Sequence, residues 1–138
     1  MKESSICLVV LYFGKLPNYF NLWLTSCKYN KTINFLLFID DETKYDYPDN
    51  VKVIYTTFEN IKNQIQSKFD FNISLKKPYK LCDYKPAYGY IFNEYLEKYD
   101  FWGHCDLDVI FGNLRKFLSE EILMQNDKIY RHRSFFII

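Results

Sequence analysis

Apolar positions in this chain follow two rhythms. Continuous runs occupy residues 6–13 (ICLVVLYF) and 33–39 (INFLLFI), with shorter ones at 51–55 (VKVIY) and 101–105 (FWGHC). The run 6–13, rich in β-branched and aromatic residues and bounded by Gly14, predicts a strand buried on both faces, the setting of a central parallel strand, and the other three predict further strands. Between the runs the spacing changes to three and four. Phe20, Trp23, Leu24 and Cys27 share one face over 18–29. Phe58, Ile61, Ile65 and Phe69 share another, in a stretch opened by Thr56-x-x-Glu59, which reads as a capping box. Residues 70–80 predict an irregular connection. Pro86 suits the first turn of a further helix, with Tyr88, Ile91, Phe92, Tyr95 and Leu96 as its stripe, ending near Tyr99. Asn113 is placed to cap a short helix over 114–118, and 128–138 reads as one more strand.

Strands alternating with helices predict an α/β layered fold with a mainly parallel sheet and helices on both faces, in one domain spanning 1–138. In such sheets ligands bind outside the carboxyl ends of the strands. Three predicted strand ends carry polar groups: Gly14-Lys15, Asp40-Asp41 and Asp106-Leu107-Asp108. Two carboxylates at i and i+2 in a turn can converge on one hard cation, and oxygen ligands suit Mg²⁺ or Mn²⁺, which can bridge to diphosphate oxygens. Ten Asp in 138 residues give roughly 0.7 such triplets by chance, so placement rather than the triplet carries the assignment. The plain alternative is a solvated turn in which one Asp caps a helix. Asp40-Asp41 could accept hydrogen bonds from ribose or base N–H groups, or cap a turn. Lys80, Asp83 and Lys85 form either a phosphate-binding corner or a surface charge cluster.

Charge and composition narrow the partners. Lys plus Arg is 18 against 17 Asp plus Glu, a net +1, which argues against nucleic acid. Aromatics reach 20%, enough to give a short chain a sizeable core. Cys7, Cys27, Cys82 and Cys105 form no C-x-x-C pair and read as reduced apolar residues. Glu3 before the first apolar run and Gly14-Lys15-Leu16-Pro17 after it do not fit a signal peptide, so the expected compartment is the cytoplasm. No G-x-x-x-x-G-K-[ST], G-x-G-x-x-G or G-x-S-x-G occurs.

The segments 80–89 (KLCDYKPAYG) and 99–114 (YDFWGHCDLDVIFGNL) resemble bacterial GT-A-type glycosyltransferases found among genes for capsular and other surface polysaccharides. The resemblance implies a GT-A, Rossmann-like nucleotide-diphospho-sugar transferase fold. It also implies a nucleotide-diphospho-sugar donor, most often a UDP-sugar, a saccharide acceptor, and a place compatible with the periphery of a membrane. By the family pattern Asp108 would coordinate Mn²⁺ or Mg²⁺ directly, and Asp106 would contact the ribose or reach the metal through water. Tyr12, Phe13 and Gly14 would line the nucleotide pocket, Asp41 would face the base, and Asp83 and Lys85 would make polar contacts to the donor. GT-A domains are usually longer, and this chain stops at Ser134-Phe135-Phe136-Ile137-Ile138. The expectation is therefore a donor-binding part without its C-terminal portion, with self-association through an uncovered C-terminal strand.

Two other readings compete. One is a non-catalytic nucleotide-sugar-binding fragment. The other is a phosphatase of the haloacid-dehalogenase type, whose Asp-x-Asp supplies a nucleophile and an acid/base. Only 30 residues follow Asp108, and Ile110 stands where that class carries Thr or Val.

Overall fold

A computed structural model describes residues 3–132 and 135–137 of the chain, the last of these and 130–132 by their backbone alone. Six strands form one sheet in the order β3-β2-β1-β4-β6-β5. They are β1 (Ile6–Tyr12), β2 (Ile33–Ile39), β3 (Val51–Tyr55), β4 (Phe101–Cys105), β5 (Ile129–His132) and β6 (Phe135–Ile137). β1 is central. It pairs in parallel with β2 from Ile6↔Ile33 to Tyr12↔Ile39, and with β4 from Ile6↔Phe101 to Val9↔His104. β3 adds to β2 in parallel, whereas β6 runs antiparallel to β4 and β5 antiparallel to β6. The chain winds outward from β1 to β3 and returns on the other side at β4. The order therefore reverses between β1 and β4, which makes the gap above their carboxyl ends the switch point where α/β sheets bind ligands.

The continuous apolar runs are explained by burial on both faces. Along β1, Ile6, Leu8 and Val10 enter one core while Cys7 and Val9 enter the other. β2 divides likewise, with Ile33, Phe35, Leu37 and Ile39 against Leu36 and Phe38. Helix α1 (Phe20–Tyr29) covers the first face with Phe20, Trp23, Leu24 and Cys27. Helix α2 (Phe58–Ser67) covers the second with Ile61 and Ile65, joined by Leu81, Tyr88, Ile91, Phe92 and Leu96. Cys7, Cys27 and Cys105 are free and buried, and Cys82 is free and exposed.

Three local expectations need correction, and one helix was not expected. The cap of α2 is Thr57, not Thr56: Thr57 is extended and its hydroxyl accepts the Asn60 N–H at 3.1 Å, while the Thr56 N–H still serves the sheet through Ile39 O. Pro86 does not start a helix. It lies inside a three-ten segment, Pro78–Ala87, followed by two single turns, α3 (Tyr88–Ile91) and α4 (Asn93–Leu96). The break falls at Phe92, which is fully buried with its ring stacked on Phe38 at 4.7 Å. Asn113 makes no capping bond to α5 (Leu114–Phe117); the Leu114 N–H is taken by Asn30 Oδ1 at 2.8 Å, from across the fold. A helix that the periodicity had not shown, α6 (Glu120–Gln125), is capped by Ser119.

The region 128–138 is two strands rather than one, with Arg133, Ser134 and Ile138 outside the described residues. β6 lies between β4 and β5, so an uncovered last strand is not what this sheet presents; its outer edge on that side is β5. Among the described residues no helix is long and apolar enough to cross a membrane.

Candidate functional site

The Asp-x-Asp turn leaves the carboxyl end of β4 at the switch point. Leu107 is 4% exposed and belongs to the first core, so it anchors the turn from below. Asp106 and Asp108, one position to either side, line a cleft with Val10, Leu11, Tyr12 and Tyr19. The cleft measures about 280 Å³. That is at the lower limit of the roughly 300–1,000 Å³ of complete small-molecule sites, so it accommodates part of a nucleotide-sized ligand. A larger hollow of about 580 Å³ lies at the opposite, amino end of the sheet, beside Lys28, Lys31, Asp46 and Asp49. Its charges balance, and it lies away from the end where open α/β sheets place their chemistry.

Lys85 reaches Asp106 from the three-ten segment. Its Nζ donates to Asp106 Oδ1 at 2.7 Å, with the lysine side chain 17% exposed and the aspartate 35%. At that distance and burial this is a charge-assisted hydrogen bond rather than a solvated surface pair. Beneath it, His104 is buried on β4; burial first, and the Lys85 charge second, push its imidazole down to about 4, so it is neutral at physiological pH. Tyr88, packed edge-on to His104 at 6.3 Å, is held protonated by burial and by the Asp106 charge.

The loop after β1 is fixed by the two aspartates that end β2. Gly14 has φ +111°, a conformation that side-chain-bearing residues rarely adopt, and its N–H donates to Asp40 Oδ1 at 2.8 Å. Asp41 accepts the Leu16 N–H on Oδ2 at 2.9 Å, and the Thr43 N–H and hydroxyl on Oδ1 at 2.9 and 2.6 Å. The Thr43 hydroxyl, then the Leu16 and Thr43 amides, hold the Asp41 carboxyl below the usual carboxylate range. A carboxyl whose folded pKa is depressed stabilises the fold above its unfolded value and loses that contribution as pH falls through the folded one. Amide exchange should therefore show Leu16 protected at neutral pH and released on acidification below the ordinary Asp range. Asp41→Ala should lack this protection at every pH; full protection in the variant would show that Asp41 does not pin the loop.

Of the residues expected at the site, the structure thus brings Tyr12, Asp106 and Asp108 to one cleft and Lys85 onto Asp106. Gly14 and Asp41 shape the adjoining loop. Phe13 turns to the other face of the sheet and packs on Phe58 at 6.1 Å. Asp83 is exposed, 4.0 Å from Lys80, an ion pair of little energetic weight. Two contributors were absent from the expectation. Tyr19 lines the cleft. Asn30, buried at the amino end of β2 and away from the cleft, binds Gly112 O through Nδ2 at 2.9 Å and the Leu114 N–H through Oδ1, fixing the chain some residues after the Asp-x-Asp turn. A polar residue ending a helical stripe is the only mark Asn30 leaves in the sequence.

Fold and cleft together define an α/β protein with a doubly wound parallel half and a carboxylate-bearing cleft at its switch point. The chain belongs to a family of unknown function (DUF6625), whose match covers residues 8–138. No curated protein matches it.

Proposed function

We propose that this cleft binds a nucleotide-diphospho-sugar, most readily a UDP-sugar, through a divalent cation held by Asp106 and Asp108, and that the protein transfers the sugar to a saccharide acceptor. A GT-A arrangement is part of the proposal, supported by the doubly wound parallel half and the carboxylate turn that ends β4. The observation that carries it is position: two carboxylates flank a buried Leu107 at the switch point, facing the end of β1 across a cleft.

The donor set fits the cation. Two carboxylates are hard oxygen ligands, and a pair of them leaves coordination positions for phosphate oxygens and water, as Mg²⁺ and Mn²⁺ sites commonly do. When bound, the ion would neutralise charge on the departing diphosphate. The chain's own groups do the rest. Leu107 sets the turn, Lys85 supplies a fixed positive charge, Tyr12 and Tyr19 wall the cleft, and Asp40 and Asp41 hold the loop beside it. A diphosphate cannot settle next to two carboxylates unless a cation lies between them, because like charges at contact distance repel strongly in a partly desolvated site.

The test is calorimetric titration of UDP with Mn²⁺ present and with Mn²⁺ chelated. Binding should require the metal. Asp108→Asn, which keeps the shape and loses the charge, should weaken it about tenfold or more, whereas Asp127→Asn at an exposed position should not. Equal affinity in both conditions, or wild-type affinity in Asp108→Asn, would overturn the assignment. Binding of a UDP-sugar without transfer to any saccharide would assign the non-catalytic reading instead.

A further inference from the structure

We propose that a small hollow at the amino end of the sheet, between its second face and α4, binds inorganic phosphate, with Lys52 and Lys98 supplying the positive charge. This site is separate from the Asp106 cleft, which lies at the carboxyl end, and it does not depend on the nucleotide reading. The hollow measures about 110 Å³. At roughly 30 Å³ per water that is room for a four-oxygen anion, and it falls short of the roughly 300–1,000 Å³ of sites for larger ligands.

Strand register builds the floor. Cys7, the second residue of β1, stands beside Asn34, the second of β2, and Lys52 on β3 stands beside Leu36. Cys7 and Leu36 belong to the second core, so this face becomes polar only at its amino end. α4 and the turn after it close the hollow with Glu94, Tyr95, Lys98 and Tyr99. Asn34 lines the hollow, and its amide has no hydrogen-bond partner among the described residues, so both of its N–H donors are unspent.

The charges favour an anion at this floor. Each lysine lies over a tyrosine ring and pairs with no carboxylate among the described residues: Lys52 Nζ is 5.7 Å from the Tyr95 ring centre, and Lys98 Nζ is 5.3 Å from that of Tyr99. The rings position both ammoniums and leave their donors for a ligand. Burial pushes the Cys7 thiol up to about 12, while the Lys98 charge, the Tyr99 hydroxyl and the Lys52 charge act in the opposite direction. Both lysine charges therefore reach the floor, where Cys7 keeps its proton and, like the Asn34 amide, is neutral. Asp49 and Glu94 also line the hollow, and both are exposed. They select among anions. Near neutral pH inorganic phosphate keeps a proton that it can donate to a carboxylate, whereas sulfate has none and is repelled. A phosphate monoester is largely without that proton too, since its second pKa is about 6.

Inorganic phosphate titrated calorimetrically into the chain near neutral pH should bind at one site, with sulfate and glucose 1-phosphate at least about tenfold weaker. Lys52→Met and Lys98→Met should each weaken phosphate binding about tenfold, the size of one charge-assisted contact. Lys31→Met, which removes an exposed charge beside the larger hollow, should leave it unchanged. Asn34→Asp keeps the shape and puts a negative charge on the floor, so phosphate binding should be lost. In the wild type the side-chain amide resonances of Asn34 should move as phosphate saturates, which locates the ion without a variant. Phosphate binding left unchanged by Lys52→Met and Lys98→Met, sulfate or glucose 1-phosphate binding as tight as phosphate, or Asn34 resonances that stay still would each overturn the site. So would a wild type that takes up no phosphate, and that result would leave the reading of the Asp106 cleft untouched.

Discussion

Trp23→Ala is expected to lower the stability of the fold by about 4 kcal/mol, against the roughly 5–15 kcal/mol that separates most folded domains from their unfolded chains. Trp23 is fully buried on α1. Its ring stacks on Phe20 at 5.6 Å, meets Phe35 edge-on at 5.7 Å and touches Phe111 at 6.3 Å. Removing the ring leaves a cavity walled by three other rings. Bulky rings on rigid elements collapse poorly into such a space, so transfer and cavity costs add. Trp23→Phe should behave differently. The indole N–H is buried and has no hydrogen-bond partner among the described residues. Phenylalanine removes that unsatisfied donor while keeping most of the ring, so the smaller cavity is offset and the loss should be about 1 kcal/mol. Urea denaturation gives both values as shifts in midpoint at constant slope. A loss below about 2 kcal/mol in Trp23→Ala would mean that the first core repacks around α1 instead of depending on it.

Trp23 also illustrates what could be read from the sequence. Its stripe with Phe20, Leu24 and Cys27 is set by helical period alone, and the runs of β1 and β2 are set by burial on two faces. Both patterns are local and survive folding unchanged. The Asp-x-Asp turn was legible for the same reason: it abuts a strand whose end is marked by the change from FWGHC to polar residues. What was hidden depends on contacts between distant segments. Asn30 caps the start of α5 across 84 residues, and Lys85 pairs with Asp106 across 21. No spacing rule connects either pair. The break at Phe92 was likewise invisible, because the apolar stripe from Tyr88 to Leu96 continues through it. Asp41 lies between the two cases. Its place at a strand end drew attention to it, and turn chemistry, the plainer of its two readings, accounts for the bonds it makes.

Gly89→Val is expected to cost about 3 kcal/mol and to disturb the cleft without touching it. A Cβ at Gly89 would lie 2.5 Å from Trp102 Cε2, 2.6 Å from its Nε1 and 2.7 Å from its Cζ2, closer than a side-chain carbon approaches any atom it is not bonded to. α3 thus rests its backbone directly on the indole face, an approach open only to glycine. Elsewhere a glycine in a helical turn is a weakness of about 1 kcal/mol relative to alanine; here that gain is outweighed by overpacking, which is costly when the obstructing group is a rigid ring instead of a flexible chain end. Relief can come from two directions. If Trp102 gives way, β4 loses packing and the site stays in register. If α3 lifts, the three-ten segment immediately before it lifts as well, and the Lys85–Asp106 contact lengthens. Trp102→Leu opens the space, so Gly89→Val/Trp102→Leu should recover at least about 1 kcal/mol beyond additivity in a double-mutant cycle. Mn²⁺ binding then decides between the two routes, since an ammonium further from Asp106 repels a cation there less: tighter binding in Gly89→Val, reversed in the double variant, locates the strain in α3 and ties Gly89 to the Lys85–Asp106 contact. Strict additivity of the two substitutions would show that Gly89 and Trp102 do not meet as described.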